Sequence, residues 1–234
     1  MYRLIILFSF LWLCEFAQGQ NTMIQDTLAN TPDLNYREDQ FYFGITYNLL
    51  NDMPKDMSQN GFSSGFHFGF IRDFPVNERR NVAFGVGLGY SVNSINQNLL
   101  IARNNQGDFQ YSILDESMFS KNKMILHIVE LPLEFRWRTS TPTEYNFWRI
   151  YAGIKLGYVF SSVAKFKGEP NDFREKPLDD LNKLQYGLTL SAGYDQFNLH
   201  IYYALNSLFD SSAKLEGQTL DLSLIKIGLI IYIL

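Results

Sequence analysis

A strict two-residue period, repeated eight times, constrains this chain more than any other feature of its sequence. In residues 40–49, Phe41, Phe43, Ile45, Tyr47 and Leu49 alternate with Tyr42, Gly44, Thr46 and Asn48. Residues 63–74 set Phe66, Phe68 and Phe70 against Gly65, His67 and Gly69, and residues 81–93 set Val82, Phe84, Val86, Leu88, Tyr90 and Val92 against Ala83, Gly85, Gly87, Gly89 and Ser91. The same pattern returns in residues 124–138, 148–160, 183–194 and 197–206. An eighth stretch, 219–234, is apolar on both parities near its end. Side chains of a strand point alternately to opposite faces, so each stretch predicts a strand with one broad apolar face and one narrow face of glycine, small polar and charged residues.

The connections between these strands alternate in length. Residues 50–62, 94–123, 161–182 and 207–218 form long connections, whereas 75–80, 139–147 and 195–196 form short ones. Outer-membrane barrels sort their loops in this way, long outside and short in the periplasm; a soluble sandwich has no reason to do so. Strands of about 10 residues or more also suit a tilted bilayer crossing better than a globular sheet, whose strands run to about 5 or 6. An eight-stranded lumen is only wide enough to be filled by side chains, so the glycines and charges belong inside and the apolar face belongs to lipid. A soluble ligand-binding barrel would place the apolar face inside instead. Phe41, Phe74, Tyr90, Trp137, Trp148, Tyr194, Phe197 and Tyr232 fall near strand ends, where interfacial aromatic girdles are expected. The fold class is therefore all-β: an eight-stranded antiparallel up-and-down transmembrane β-barrel.

The first residues read as a targeting signal. Arg3 supplies a positive n-region, residues 4–14 (LIILFSFLWLC) an apolar core, and Ala17-Gln18-Gly19 small residues at the cleavage point. The expected organisation is a signal peptide over 1–19, a polar periplasmic arm over 20–39 and the barrel over 40–234. Cys14 follows Leu11, Trp12 and Leu13 rather than the small residues that precede a lipidated cysteine, so it reads as part of the signal core. It is the one cysteine of the chain, which leaves the exported barrel without a disulfide framework. A formal charge of −4 provides no basic field for nucleic acid.

Residues 127–138, HIVELPLEFRWR, resemble the L-E-I-P-L-x-L-x-x-R signature of the PorT-like outer-membrane β-barrel proteins of the Bacteroidota, and residues 33–37 (DLNYR) and 41–45 (FYFGI) fit the same pattern. The resemblance spans essentially the whole exported chain. It implies an outer-membrane location and an eight-stranded barrel; the founding member is an accessory of the type IX protein-secretion and gliding machinery. Two features depart from the family: the fourth loop lacks the more usual glycine-rich ending, and Leu234 stands where an aromatic residue is common.

The candidate site is the set of charges on the narrow faces: Glu130, Glu134, Arg136 and Arg138 from the fourth strand, Arg149 and Lys155 from the fifth, His67 from the second and His200 from the seventh. Charges out of bulk water persist when paired, so Glu130 and Glu134 are expected to hold Lys155, Arg136 and also Lys226 in a polar plug. A gated ion path through that plug is the functional alternative. Enzyme chemistry on a small barrel would need a Ser/His/acid constellation at the rim, but the three histidines are dispersed and His127 shares parity with the lipid face. Neither a catalytic site, a cofactor nor a metal is expected. The partners expected are outer-membrane lipid and, from the resemblance, secretion-machinery proteins. The functional expectation is a non-enzymatic accessory or scaffold barrel, with a small porin-like channel or a surface-binding barrel as the alternatives.

Four local expectations complete the reading. Pro132 should force a bulge or break in its strand. Lys226 and Gly228 share the parity of Tyr232, so a bulge is expected in the last strand, or else Lys226 reaches out of the lipid zone. Residues 168–180 (GEPNDFREKPLDD) should form a mobile extracellular loop, and residues 99–102 and 109–114 a protruding hairpin.

Overall fold

Among the described residues, each long strand hydrogen-bonds the next long strand in sequence. β1 (Gln40–Asn51) pairs with β2 (Ser64–Pro75), β2 with β3 (Val82–Asn96), and β3 with β4 (Phe119–Arg138). The series continues through β5 (Trp148–Gly168), β6 (Leu184–Tyr194), β7 (Phe197–Ala204) and β8 (Ser223–Ile233). The ring closes because β8 pairs with β1 from Phe41↔Ile233 to Asn51↔Ser223. All pairs are antiparallel, and among the described residues these eight long strands form a barrel without an open edge. The computed structural model describes residues 37–140, 147–169 and 171–233. The expected signal peptide and most of the expected arm lie outside the described residues.

The lipid face follows the alternation. Phe41, Phe43, Ile45, Phe66, Phe84, Leu88, Trp148, Phe197 and Leu229 all point outward and are exposed. From Trp137 to His127 the chain advances ten residues, which at about 3.3 Å per residue and a tilt of ~40° gives an apolar band about 25 Å tall. Aromatic rings mark both of its borders. Trp148 packs edge-on against Tyr194 at 5.4 Å on the side of the short turns, and Tyr90, His127 and Phe160 cluster at about 6 Å on the side of the long loops.

β4 and β5 run further outward than the alternation predicts. The register between them slips by one residue between His127 and Ile128, which pair with Ser161 and Val159 respectively. Beyond this bulge the inward parity of β5 changes from Val159 to Ser162, Ala164 and Phe166. A parity change hides a strand from a period-two reading, which accounts for the early predicted end at residue 160.

Three further expectations are corrected. β8 pairs with β1 in one continuous register, without the expected bulge, and Lys226, Gly228, Ile230 and Tyr232 all point inward. Tyr232 is thus a lumen residue rather than part of the girdle; the narrow barrel needs bulk here because Gly44 and Gly228 supply none, and a Cβ on Gly44 would stand 2.8 Å from Ile230. The described residues 171–180 of the expected mobile loop are packed against the barrel: Phe173–Glu175 pairs with β5, and Leu178 is buried. At Pro132 the expected interruption is present, as a local break rather than a bulge. Pro132 keeps its partner Lys155 on β5, whereas the ladder to β3 lapses between Val86↔Leu133 and Gly89↔Glu130, where the missing N–H cannot donate. Gly87 makes room for the proline ring, since a Cβ there would lie 3.0 Å from Pro132 Cγ.

Candidate functional site

The inward side chains separate into three layers along the barrel axis. Nearest the short turns, Asp73 is fully buried and accepts from two arginines. Arg138 donates from Nη1 at 2.9 Å and from Nη2 at 2.8 Å, and Arg136 donates from Nη1 at 3.0 Å. Arg136 also donates to Glu134 at 3.2 Å, to Gln40 at 2.9 Å and to the Glu38 carbonyl at 3.2 Å, and its guanidinium lies 4.3 Å from the centroid of the Tyr151 ring. Tyr42, Ile71, Tyr151, Ile230 and Tyr232 fill the space around this network. Arg149, although buried, has no carboxylate partner for Nε or Nη1 and lies 4.4 Å from the Phe147 ring centroid. A delocalised guanidinium tolerates such stacking better than an ammonium would.

Glu130 organises the middle layer. It accepts from Ser91 at 2.7 Å, pairs with Lys155 at 3.2 Å and lies 3.3 Å from His67, whose other ring nitrogen meets Thr46 at 3.1 Å. Lys226 sits over the Tyr202 ring at 4.9 Å. His200 is separate from this group and contacts Ser191 at 2.7 Å through Nδ1, while its Nε2 has no partner. A cavity of about 10 Å³ between Glu130, Lys155, Tyr202 and Lys226 is the size of one water molecule.

The third layer is apolar, which sequence reasoning missed. Met124, Leu126 and Ile128 of β4 and Leu224 of β8 point inward at the wide-loop end, and residues from every long connection pack onto them. These include Met57, Leu99, Ile101, Leu178, Leu181, Leu208, Phe209 and Leu220, with Leu99 and Leu220 at 0% exposure. The hairpin Leu99–Arg103 with Phe109–Ile113 forms as predicted, but it lies down on this cluster instead of protruding. Polar ties lock the loops together. Arg103 donates to Pro177 O at 3.1 Å and pairs with Asp179 at 3.0 Å, Tyr111 donates to Asp180 at 3.0 Å, and Asn182 donates to the carbonyls of Ser207 and Phe209 at 2.9 and 2.8 Å. A tight turn at Glu216 and Gly217, both at positive φ, folds the fourth connection back as the small ribbon Lys214–Leu215 with Gln218–Thr219.

The structure therefore brings Glu130, Lys155 and His67 together, and Glu134, Arg136 and Arg138 together through Asp73, leaving Arg149 and His200 apart from both groups. Asp73 escaped the sequence reading although it shares the parity of His67; the apolar Ile71 interrupts the narrow face between Gly69 and Asp73. His127 points outward and hydrogen-bonds the Tyr90 hydroxyl at 2.6 Å. Among the described residues no three His, Cys, Asp or Glu side chains converge on a common point that could hold a metal ion.

The crystal structure of Ail, the attachment invasion locus protein of Yersinia pestis, matches at 13% identity over 83% of this chain and 96% of that one, with a TM-score of 0.36. No curated protein matches the chain. Residues 16–210 match the family described as outer membrane protein beta-barrel domain. With most of its length covered by that match, and with its strands closed into an antiparallel ring of eight, this chain is an outer-membrane protein belonging to the outer membrane protein β-barrel domain family.

Proposed function

We propose that this protein is a non-conducting, non-enzymatic outer-membrane barrel that acts as a scaffold or accessory through its folded extracellular surface. The observation that supports this reading is the filling of the lumen along its whole length: ion-paired arginines, then the Glu130 network, then the apolar cap. A hydrated ion would have to displace buried leucines and break ion pairs that are costly to separate. The Ser–His contact of Ser191 with His200 is buried in the lumen, with both side chains shielded from solvent. A role in type IX secretion is the finer form of the proposal and rests on the resemblance of residues 127–138 to PorT-like barrels.

Gene deletion, read as periplasmic accumulation of normally secreted proteins, tests the accessory role. Single-channel recording from the purified barrel tests the plug. Loss of secretion together with a silent barrel is expected; steady conductance with normal secretion overturns the proposal.

A further inference from the structure

We propose that the outward extension of β4 and β5 is a docking surface for the phosphate groups of the phosphorylated glycolipid in the outer leaflet. On the outer face of this ribbon, cross-strand neighbours carry like charge: Lys121 faces Lys167, and Lys123 faces Lys165, which in turn faces Arg174. Like charges directly opposite each other in a sheet destabilise it, so five cations gathered in adjacent rows of a chain whose net charge is −4 call for a compensating anion. The described residues supply little. Lys167 approaches Asp172 at 3.9 Å, with both side chains 62% exposed, and Lys123 donates to the Ser94 hydroxyl at 3.2 Å.

The height of the patch identifies the anion. Lys123 lies four residues beyond His127, which belongs to the outer aromatic border together with Tyr90 and Phe160. At about 3.3 Å per residue and a tilt of ~40°, its row stands about 10 Å above that border, at headgroup level. Between the two levels, Ile125 and Val163 keep the outer face apolar, so one vertical path runs from acyl chains to headgroup. The rim diametrically across the barrel, where β1 meets β8, has a different character: Asn51 and Ser223 both donate to Asp52, at 2.7 and 3.0 Å. The facing rows of five cations therefore lie on one side of the barrel, as a lipid bound at a fixed position requires.

The test uses the full-length barrel in non-ionic detergent, with purified lipopolysaccharide and its phosphatase-treated form as probes. The phosphorylated probe should bind at least about tenfold more tightly than the dephosphorylated one. A Lys121→Gln/Lys165→Gln/Lys167→Gln variant should lose that difference, and the corresponding triple Lys→Arg variant should keep it. Lys55→Gln/Lys214→Gln, which removes two exposed cations from other loops, should leave binding unchanged. Equal affinity for the two probes overturns the proposal, as does an equal loss in the Lys55/Lys214 control. If the glutamine variant fails to fold, the phosphatase comparison on the wild-type and arginine forms decides alone.

Discussion

Arg138 holds Asp73 in a two-pronged pair, Nη1 to Oδ1 and Nη2 to Oδ2, with all four atoms sealed from solvent. Because Arg136 uses the same carboxylate, a single acid is shared between the ends of two cationic side chains. Asp73→Ala leaves two buried guanidinium groups short of a partner and should destabilise the barrel by about 3–5 kcal/mol. Denaturant unfolding in detergent checks this; a loss below about 1 kcal/mol would show that the network contributes little.

Glu130 and Glu134 differ in how far their partners depend on them. Glu130→Leu deprives Lys155, His67 and Ser91 of a shared acceptor, whereas after Glu134→Leu the Arg136 guanidinium keeps Asp73 and Gln40. The unfolding midpoint should fall further for Glu130→Leu than for Glu134→Leu. Leu131→Ile and Leu133→Ile, both on the lipid face, should cost less than about 1.5 kcal/mol. The reverse order of the two acids would refute the network described here.

The cap and the barrel should be separable. Leu99→Ala removes a side chain from the centre of the loop cluster, a change that costs about 2–5 kcal/mol in a packed core. Surface proteolysis of the loops should accelerate in this variant, while the shift in gel mobility between unboiled and boiled samples, which reports the closed barrel, stays as in the wild type. Loss of that shift would mean that loops and barrel fold as one unit.

Glu38 gives the periplasmic mouth a pH dependence. Burial raises its carboxyl above the ordinary 4.5, against the opposing pull of Arg138, Arg149 and Arg136 and with added repulsion from Asp73. The folded state thus binds this proton more tightly than the unfolded one, so its contribution is complete below about pH 4.5 and is lost as pH rises through the raised value. Glu38→Gln should flatten that segment of a stability-versus-pH curve; an unchanged slope assigns the dependence to another group.

Strand number, order and the two faces were legible because lipid and a narrow lumen impose opposite demands on alternate residues. What escaped had physical reasons of its own. Tyr42 and Tyr151 lie on the narrow-face parity and point inward as read, but Tyr232 shares a residue type with the interfacial girdle and instead packs beside them in the lumen; the Tyr42 hydroxyl occupies the place a Cβ on Gly89 would take. The bulge at Ser161 shifted parity where strand β5 continues. The cap arises from contacts between loops far apart in sequence, which no local period encodes.

That distance in sequence also fixes an order of events. Met57 belongs to the first connection and Leu220 to the last, so the apolar cluster they share can consolidate only when all four long connections have reached the outer side. The loops must travel through the membrane open and fold on arrival. Once packed, they form a body too broad to return through a lumen already occupied by its own side chains, and the closing of the cap becomes the step that makes insertion one-way.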